Sequence, residues 1–158
     1  MNEILMIILL TLAPFLELRA SIPYGIARLG NGYWLAVFLI AVITNIFLAF
    51  LVYIFVNYIM HLFLKIKQID RIYQRIIERT QRKIHPYVEK YGVLGLAVFI
   101  GVPLPGSGVY SGCLGAYLLG FSFKDYIIAS IIGVIIAGIL VTLISLSGIE
   151  ALRFFIKI

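Results

Sequence analysis

Glu17 and Arg19 stand two positions apart in an otherwise apolar stretch that is bounded by Pro14 and Pro23. The apolar surroundings predict that both side chains lie at membrane depth, where an ionisable group is costly and marks a functional site by default. The planar guanidinium of Arg19 fits a phosphate or a carboxylate with two hydrogen bonds. Glu17 has two alternative roles. It either orients Arg19 or carries a proton, because burial moves the titration of a carboxyl group towards neutral pH.

A second stretch, residues 102–112, interrupts the other half of the chain with prolines, glycines and serines. Proline removes a backbone donor and breaks a helix, and broken backbone survives in lipid only against protein or a water-filled cavity. A pair of such segments in matching halves of a chain indicates a transporter's binding site. The residues predicted to bind substrate are Glu17, Arg19, Ser21, Pro23, Pro103, Pro105, Gly106, Ser107, Gly108 and Ser111.

Helix starts within the two stretches supply the backbone part of the predicted site. Pro23 suits the first position of a helix, and Ser107 or Ser111 suits the capping position of a helix in the second stretch. A helix start carries free N–H groups and about half a positive charge. Two such starts, joined by Arg19, predict an anion site that the neighbouring glycines leave open to close approach.

The composition predicts that a membrane protein holds these residues. The chain has 158 residues, of which 63% are apolar and 13% are charged, with a mean hydropathy of +1.09. Soluble domains are near half apolar and a quarter charged, which disfavours a soluble or nucleic-acid-binding domain. The sequence has no zinc-ligand spacing, no paired membrane carboxylates and no G-x-S-x-G. Neither enzyme activity nor a cofactor or metal is therefore expected.

Hydropathy divides the chain into two similar halves and predicts an all-α integral membrane fold. Residues 4–29 and 92–121 are each broken into pieces too short to cross a core of about 30 Å, and they predict re-entrant helical hairpins. Residues 33–60 and 126–149 are uncharged and long enough to span. A single spanning helix kinked at its prolines stays the alternative for the first broken segment.

The two halves are joined by residues 61–91, which hold most of the net charge of +6. Apolar residues recur at three- and four-residue spacing over 62–84 and predict an amphipathic helix that lies in the membrane plane. The positive-inside rule places this linker in the cytoplasm. Its basic face serves anchoring and topology or recruits anionic lipid, and the first role is favoured.

The halves share spaced identities at an offset of 90 residues, where Ser21, Gly25, Leu29 and Gly30 match Ser111, Gly115, Leu119 and Gly120. A hairpin returns to its own side of the membrane, whereas a span crosses it. With a cytoplasmic linker, the predicted repeats are therefore inverted within one membrane domain of the cell membrane, and both termini lie outside. If the broken segments are full spans, the repeats are parallel and both termini are cytoplasmic.

Small residues recur at four-residue spacing in the second predicted span, at Ala129, Gly133 and Ala137, with Gly138 adjacent. Such a stripe lets two helices approach closely. It packs either within the chain or at the seam of a homodimer, and the sequence leaves both alternatives open. A homodimer is one way for so short a chain to enclose a pathway.

The two broken stretches also resemble paired signatures of a known family. Glu17-Leu18-Arg19-Ala20-Ser21-Ile22-Pro23 is similar to E-L-R-G-x-I-P, and residues 103–112 are similar to P-L-P-G-[ST]-G-x-[YW]-[ST]-G. These signatures belong to the small multidrug export family, which looks like a distant relative of the DedA/VTT membrane proteins. Ala20 departs from the usual glycine. Over nearly the whole chain, the resemblance implies two opposed re-entrant hairpins, each followed by a span, and transport of lipids or amphipathic molecules.

The expected function is a small transporter that moves an anionic, phosphate-bearing lipid or amphipathic molecule by alternating access at the hairpin tips. One alternative is a proton-coupled small multidrug exporter with Glu17 as its cation-binding carboxylate. The other is a non-transporting membrane scaffold. The expected partners are membrane lipids, a small anionic or amphipathic substrate, a coupling proton and a second copy of the chain, without nucleic acid.

Overall fold

A computed structural model describes residues 2–14, 16–63, 91–103 and 106–156, with the side chains of all but 61–63 and 149–156. These residues form helices and turns, with no strand among them, so the all-α prediction is confirmed. The helices are α1 (Glu3–Leu12), α2 (Glu17–Leu29), α3 (Trp34–Phe63), α4 (Tyr91–Gly101), α5 (Val109–Leu119) and α6 (Phe123–Ile156), with a 3-10 turn at Asn31–Tyr33. The order of two short helices and a long one thus occurs twice. Residues 64–90, which include most of the predicted linker and of its amphipathic helix, lie outside the described residues.

Two helices, α3 and α6, are long and apolar enough to cross a membrane. Their apolar stretches, Asn31–Met60 and Phe123–Gly148, cover 30 and 26 residues. At 1.5 Å per residue they exceed a hydrocarbon core of about 30 Å. Ile43, Ile54 and Ile144 on these helices are each more than 60% exposed. Since an extended apolar surface of this kind marks contact with membrane or protein, the chain is best described as a membrane protein.

The helical bounds extend past the predicted spans. α6 continues without a break to Ile156, whereas the sequence predicted the span to end at residue 149, and α3 reaches Phe63 rather than residue 60. The apolar run ends where the predictions placed it, but charged residues such as glutamate and arginine are good helix formers. α6 therefore extends beyond the end of its hydrophobic stretch.

The first two helices fold back on each other and lie antiparallel. At their open end, the Tyr24 hydroxyl donates to the Glu3 carboxylate at 2.7 Å, and Arg28 lies 3.7 Å from the same carboxylate. Nearer the turn, the Thr11 hydroxyl donates to the Ser21 hydroxyl at 2.7 Å. The start of α1 therefore lies beside the end of α2, and the turn between them forms the opposite tip of the pair.

Pro23 lies inside α2, well past the helix start at Glu17, so the prediction that it is the first helical residue is wrong. The break predicted over residues 14–23 is confined to residues 13–16. A proline removes one backbone donor and crowds the carbonyl four residues earlier, here that of Arg19. The helix tolerates this cost because α2 packs against α1, α3 and α6, and tertiary packing overrides local propensity.

The glycines that the predicted repeat pairs at offset 90 also end equivalent helices. Gly30 follows α2 with a φ of 91°, and Gly120 follows α5 with a φ of 76°. A residue with positive φ is a common helix stop, and glycine adopts it without steric cost. The two halves therefore share a helix-ending device in addition to their order of elements.

The stripe of small residues on α6 packs within the chain. A Cβ at Gly133 would lie 2.7 Å from the carbonyl oxygen of Ala97 on α4, and a Cβ at Gly138 would lie 2.9 Å from α3. Ala129 and Ala137 are buried in the same core. Of the two alternatives that the sequence left open for the stripe, the structure shows the intramolecular one.

Candidate functional site

The two broken segments lie against each other. The Tyr110 hydroxyl, in the first turn of α5, donates to the carbonyl oxygen of Leu12 at the end of α1, at 2.7 Å. Arg19 of α2 donates to the carbonyl oxygen of Ser107 at 2.9 Å. We call this meeting of residues 12–19 with residues 102–110 the loop junction. It joins the two halves of the chain at their tips.

Arg19 binds the second loop through both ends of its guanidinium. Nη1 donates to the Ser107 carbonyl oxygen at 2.9 Å, and Nη2 donates to the Ser107 hydroxyl at 2.7 Å. Nη2 also approaches the Val102 carbonyl oxygen at 3.4 Å, to which the Ser107 hydroxyl itself donates at 2.6 Å. A broken segment leaves carbonyl oxygens without a helical partner. Arg19 thus supplies donors to carbonyl oxygens of the second loop that no helix pairs.

Glu17 caps α5 from the other half of the chain. Its Oε1 accepts from the backbone N–H of Val109 at 3.0 Å and, more weakly, from that of Tyr110 at 3.5 Å. A carboxylate at a helix start satisfies free donors and interacts favourably with the helix dipole. The N-terminal anion site that the sequence predicted therefore holds a carboxylate of the protein itself.

Neither serine of the second loop caps α5, contrary to the prediction. The N-cap residue is Gly108, which has no side chain that could cap the helix. The hydroxyl of Ser107 is turned towards Val102 and Arg19, while that of Ser111 donates to the carbonyl oxygen of Gly108 at 3.4 Å. Both hydroxyls therefore bond carbonyl oxygens and leave the N–H groups of α5 to Glu17.

The position of the Glu17 carboxylate depends on unusual backbone at both loops. Glu17 has a φ of 47°, the only positive value of a non-glycine residue in the described part of the chain, and is only 5% exposed. Gly108 has a φ of 127°, and a Cβ at this position would lie 2.7 Å from both carboxylate oxygens. Strained φ values persist where the surrounding structure determines them, and they cluster at functional sites.

Two fully buried side chains from the spanning helices reach the junction, and the sequence interpretation passed over both. The Tyr126 hydroxyl, near the start of α6, donates to the Val109 carbonyl oxygen at 3.2 Å. Asn45, in the central part of α3, lies close enough to the Glu17 carboxyl group to interact with it. A polar amide within an uncharged span was the available signal for Asn45, whereas nothing distinguishes Tyr126 among ten tyrosines.

The predicted site residues divide into three groups. The junction brings together Glu17, Arg19, Ser107 and Gly108, with Pro103 and Gly106 in the same loop and Ser111 in the first turn of α5. Ser21 instead bonds Thr11 between α1 and α2, and Pro23 lies farther along α2. Pro105 lies outside the described residues.

The described polar groups of the junction largely satisfy one another. The N–H groups that begin α5 bind Glu17, the carbonyl oxygen that ends α1 binds Tyr110, and the carbonyl oxygens of the second loop bind Arg19. Helix starts and helix ends of opposite partial charge meet here, so their dipoles offset each other.

Comparison with known proteins places the chain in a family. The family model described as Putative small multi-drug export protein matches residues 17–140, which is most of the chain and begins at Glu17 itself. No curated protein and no solved structure matches the chain. The matched range begins directly after the break at residues 13–16 and contains α2, α3, the second loop and most of the apolar part of α6. The chain therefore belongs to the small multi-drug export family, whose name describes transporters.

Proposed function

We propose that this protein is a transporter, rather than an enzyme, that moves an anionic, phosphate-bearing lipid or similar amphipathic molecule across the membrane. The observation that carries the proposal is the Glu17 carboxylate at the start of α5, because it shows that the N–H groups there bind a negatively charged oxygen acceptor, as a phosphate also is. A substrate head group binds there by replacing the carboxylate. Arg19 is the second binding group, since guanidinium and phosphate form strong, paired hydrogen bonds.

The dimensions of the first helix pair support a junction deep in the membrane. α1 has ten residues, or roughly 15 Å of helix, which is half of a hydrocarbon core of about 30 Å. The opposite end of the pair carries Glu3 and an exposed Arg28, and the exposed rings of Tyr33 and Trp34 follow it. Aromatic rings and charges of this kind suit the membrane surface. We therefore infer that α1 and α2 form a re-entrant hairpin.

The second helix pair supplies the opposing hairpin. Ile100 at the end of α4 contacts Gly112 at the start of α5, so these helices also fold back at their shared loop. If α4 and α5 enter from the other face, the repeats are inverted and both termini lie outside. Rocking of one repeat against the other then exposes the junction to each side in turn, which is the alternating access of inverted-repeat transporters.

Cysteine labelling in intact cells tests this topology. In a background with Cys113→Ala, Lys124→Cys is expected to resist an impermeant maleimide, because an inverted second hairpin places it on the cytoplasmic side. Gly32→Cys is the control, since it lies outside in both topologies and a Cβ there meets no atom within 4 Å. Labelling of both cysteines from outside contradicts the re-entrant arrangement.

An apolar groove beside the junction supports an amphipathic substrate. The groove has a volume of about 570 Å³ and is lined by Leu48, Leu51, Val52, Ile54, Phe55, Tyr58 and Tyr110. Tyr110 connects it to the head-group position, because its backbone N–H approaches Glu17. A groove of this volume is in the range of ligand pockets, and its lining suits the hydrocarbon chain of a lipid whose head group lies at the junction.

Lipid translocation in proteoliposomes tests the proposed function. Arg19→Ala is expected to lower the flipping rate of a fluorescent phospholipid or polyprenyl phosphate by about tenfold or more, since charge-assisted hydrogen bonds contribute roughly 1.5–3 kcal/mol. The matched control is Arg28→Ala, on the same helix but at the open end of the hairpin. Unchanged flipping in both Arg19→Ala and Glu17→Gln overturns the proposal.

A proton-coupled exporter of cationic amphiphiles is the second candidate, and the burial of Glu17 favours it. A carboxylate that is 5% exposed is a suitable proton or cation site. An anionic substrate is the stronger candidate, because the N–H groups at the start of α5 already donate to a negatively charged side chain, that of Glu17. Drug-dependent proton flux that disappears in Glu17→Gln, without lipid flipping by the unmodified protein, supports the exporter instead.

A further inference from the structure

We infer that the two hairpins exchange a tight and a loose packing during transport, and that this exchange opens a second groove for the lipid chain along α6. The second groove is the counterpart, in the other half of the chain, of the apolar groove along α3. The inference rests on the proposed function for the inverted repeats and for the occupant, an anionic lipid. It adds to that function a binding site and the contact that closes it.

Residues of the two halves correspond at the offset of 90 that the predicted repeat defines. α2 and α5 end at residues 29 and 119, and the starts of α3 and α6 lie within one residue of the same offset. The ends of α1 and α4, at residues 12 and 101, also agree within one residue. Each residue of one half therefore has a defined counterpart in the other, and counterparts are expected to make similar contacts unless the two halves adopt different arrangements.

Gly25 on α2 and its counterpart Gly115 on α5 have different surroundings. A Cβ at Gly25 would lie 2.5 Å from Val37 on α3 and 2.9 Å from Ile7 on α1, so the first hairpin packs tightly against its own span. A Cβ at Gly115 would meet no atom within 4 Å. The second hairpin is therefore loosely packed at the equivalent position of α5.

Nothing in the observed arrangement requires a glycine at position 115. Glycine inside a helix is destabilising relative to alanine, and Gly115 has neither a positive φ nor a close neighbour. The counterparts of Val37 and Ile7 are Ile127 and Ala97, which are both apolar and buried. If α5 moves against them, as α2 lies against α3 and α1, Gly115 is the residue that permits the close approach.

The two spans differ in the same way beside the loop junction. The groove along α3 includes Leu48 and Leu51, and Leu51 is 44% exposed. Their counterparts on α6 are Gly138 and Val141. A Cβ at Gly138 would lie 2.9 Å from Val42 on α3, and Val141 is only 7% exposed. The surface of α6 is therefore covered where the corresponding surface of α3 is open.

Thr142 supplies an independent reason for the covered surface of α6 to open. Its side chain is buried, and its hydroxyl has no hydrogen-bond partner among the described residues. An unsatisfied buried polar group is costly and requires an explanation. Thr142 is the counterpart of Val52, which lines the groove along α3. Opening of α6 therefore releases this hydroxyl from a core in which it is unpaired.

These differences place the tight packing in one half of the protein and the loose packing in the other. Inverted repeats that rock against each other expose one site to each side of the membrane in turn. In the opposite state, Gly115 lies against Ile127, Gly25 is open, and the surface around Val141 forms the groove. The lipid chain then lies along α6, while its head group remains at the loop junction.

A disulfide between Gly115→Cys and Ile127→Cys tests the tight second hairpin, in a background with Cys113→Ala. The Cβ atoms of a disulfide lie about 3.8 Å apart, whereas a Cβ at Gly115 meets no atom within 4 Å in the observed arrangement. Cross-linking in proteoliposomes is expected to stop lipid flipping, and reduction is expected to restore it. Absence of the cross-link, or unchanged flipping by the cross-linked protein, overturns the inference.

The matched control for the cross-link is the pair of Gly115→Cys with Ile128→Cys. Ile128 follows Ile127 on α6 and is 39% exposed. Adjacent residues of a helix do not share a face, so this pair is expected to stay reduced. Equal cross-linking of both pairs contradicts a specific contact between α5 and Ile127.

Alanine substitution separates an effect on stability from an effect on transport. Gly115→Ala introduces no close contact in the observed arrangement, so the unfolding temperature in detergent is expected not to fall. The same methyl group obstructs the tight packing of the second hairpin, and flipping is expected to fall by about fivefold or more, as overpacking predicts. Leu114→Ala is the control, because Leu114 lies beside Gly115 and is 47% exposed. Normal flipping by Gly115→Ala contradicts the exchange.

A photoactivatable lipid locates the second groove. Vesicles contain phosphatidylglycerol with a diazirine on one acyl chain, and mass spectrometry measures the labelling of Leu48 and of Val141. Gly25→Ala obstructs the tight packing of the first hairpin, so it is expected to raise the ratio of Val141 to Leu48 labelling by about fivefold or more. Gly115→Ala is expected to lower this ratio. If Gly25→Ala does not fold, Val37→Ala loosens the same contact and is expected to raise the ratio as well. A ratio that is equal in all folded variants overturns the inference.

The two proposals fail in distinguishable ways. Normal lipid flipping by both Arg19→Ala and Glu17→Gln overturns the proposed function, while the disulfide of Gly115→Cys with Ile127→Cys still reports the exchange of packing. Absence of that disulfide overturns the exchange, while the loss of flipping in Arg19→Ala still supports transport of an anion.

Discussion

Glu17 and Gly108 occupy one small volume of the loop junction, because both carboxylate oxygens of Glu17 lie 2.7 Å from the point where a Cβ of residue 108 would be. The two residues come from opposite halves of the chain. Their contact places the carboxylate over the N–H groups that begin α5. The start of α2 and the start of α5 are therefore in direct contact through this carboxylate.

Gly108→Ala is expected to displace the Glu17 carboxylate and to lower lipid flipping by about tenfold, as the loss of a charged hydrogen bond predicts. The free energy of unfolding is expected to fall by about 1–3 kcal/mol through overpacking. Flipping in proteoliposomes and thermal unfolding in detergent measure the two effects. Gly115→Ala, on the same helix with no atom within 4 Å of its Cβ, is the control for unfolding and is expected to retain the stability of the unmodified protein. Leu114→Ala is the control for flipping.

The backbone strain at Glu17 predicts an inverted order of stability between two variants. Glu17→Gly and Glu17→Ala both remove the carboxylate, but only glycine adopts a φ of 47° without the cost of about 1–2 kcal/mol that other residues have there. The glycine variant is expected to unfold at the higher temperature. Ala20 lies inside the same helix, where alanine is expected to be more stable than glycine. Ala20→Gly is therefore expected to lower the free energy of unfolding by about 1 kcal/mol. A less stable Glu17→Gly contradicts the strain.

The lengths of the apolar runs predicted the class of the fold well. Uncharged stretches led to α3 and α6, and the clusters of proline and glycine led to the two loops that meet at the junction. Helix starts were predicted less well. Pro23 was taken as a start because its fixed φ suits one, but packing carries α2 back to Glu17.

The contacts of the junction could not be predicted from the sequence, for a different reason. Capping rules pair a helix start with a residue a few positions away, and they pointed to Ser107 and Ser111. The observed partner, Glu17, belongs to the other half of the chain and reaches α5 only through tertiary structure. Asn45 was one polar residue in an apolar span, and only its buried, unsatisfied amide beside Glu17 distinguishes it.

The close approach of α6 to α4 predicts that Gly133→Ala destabilises the monomer. A Cβ at this position meets the Ala97 carbonyl oxygen at 2.7 Å, and backbone on both helices has to move. We expect a loss of about 1–3 kcal/mol in the free energy of unfolding.

Gly148→Ala, on the same helix with no atom within 4 Å of its Cβ, is expected to leave stability within about 1 kcal/mol of the unmodified protein. Unfolding in detergent compares the two. A change in oligomeric state without a change in monomer stability indicates that the stripe serves a dimer seam instead.

The fork of Arg19 predicts that charge alone does not maintain the junction. Lysine keeps the positive charge but presents a single ammonium group, whereas Arg19 uses two nitrogens to bind the carbonyl oxygen and the hydroxyl of Ser107. Arg19→Lys is therefore expected to lose most of the flipping rate that Arg19→Ala loses. Ser107→Ala, which removes one of these acceptors, is expected to cause a smaller loss of about threefold to tenfold, in line with one hydrogen bond.

Flipping assays at several salt concentrations separate a role of charge from a role of geometry, because an exposed charge is screened by salt. Arg28→Lys is the matched control at the open end of the same hairpin. Full activity of Arg19→Lys shows that the fork is dispensable and that Arg19 contributes charge only.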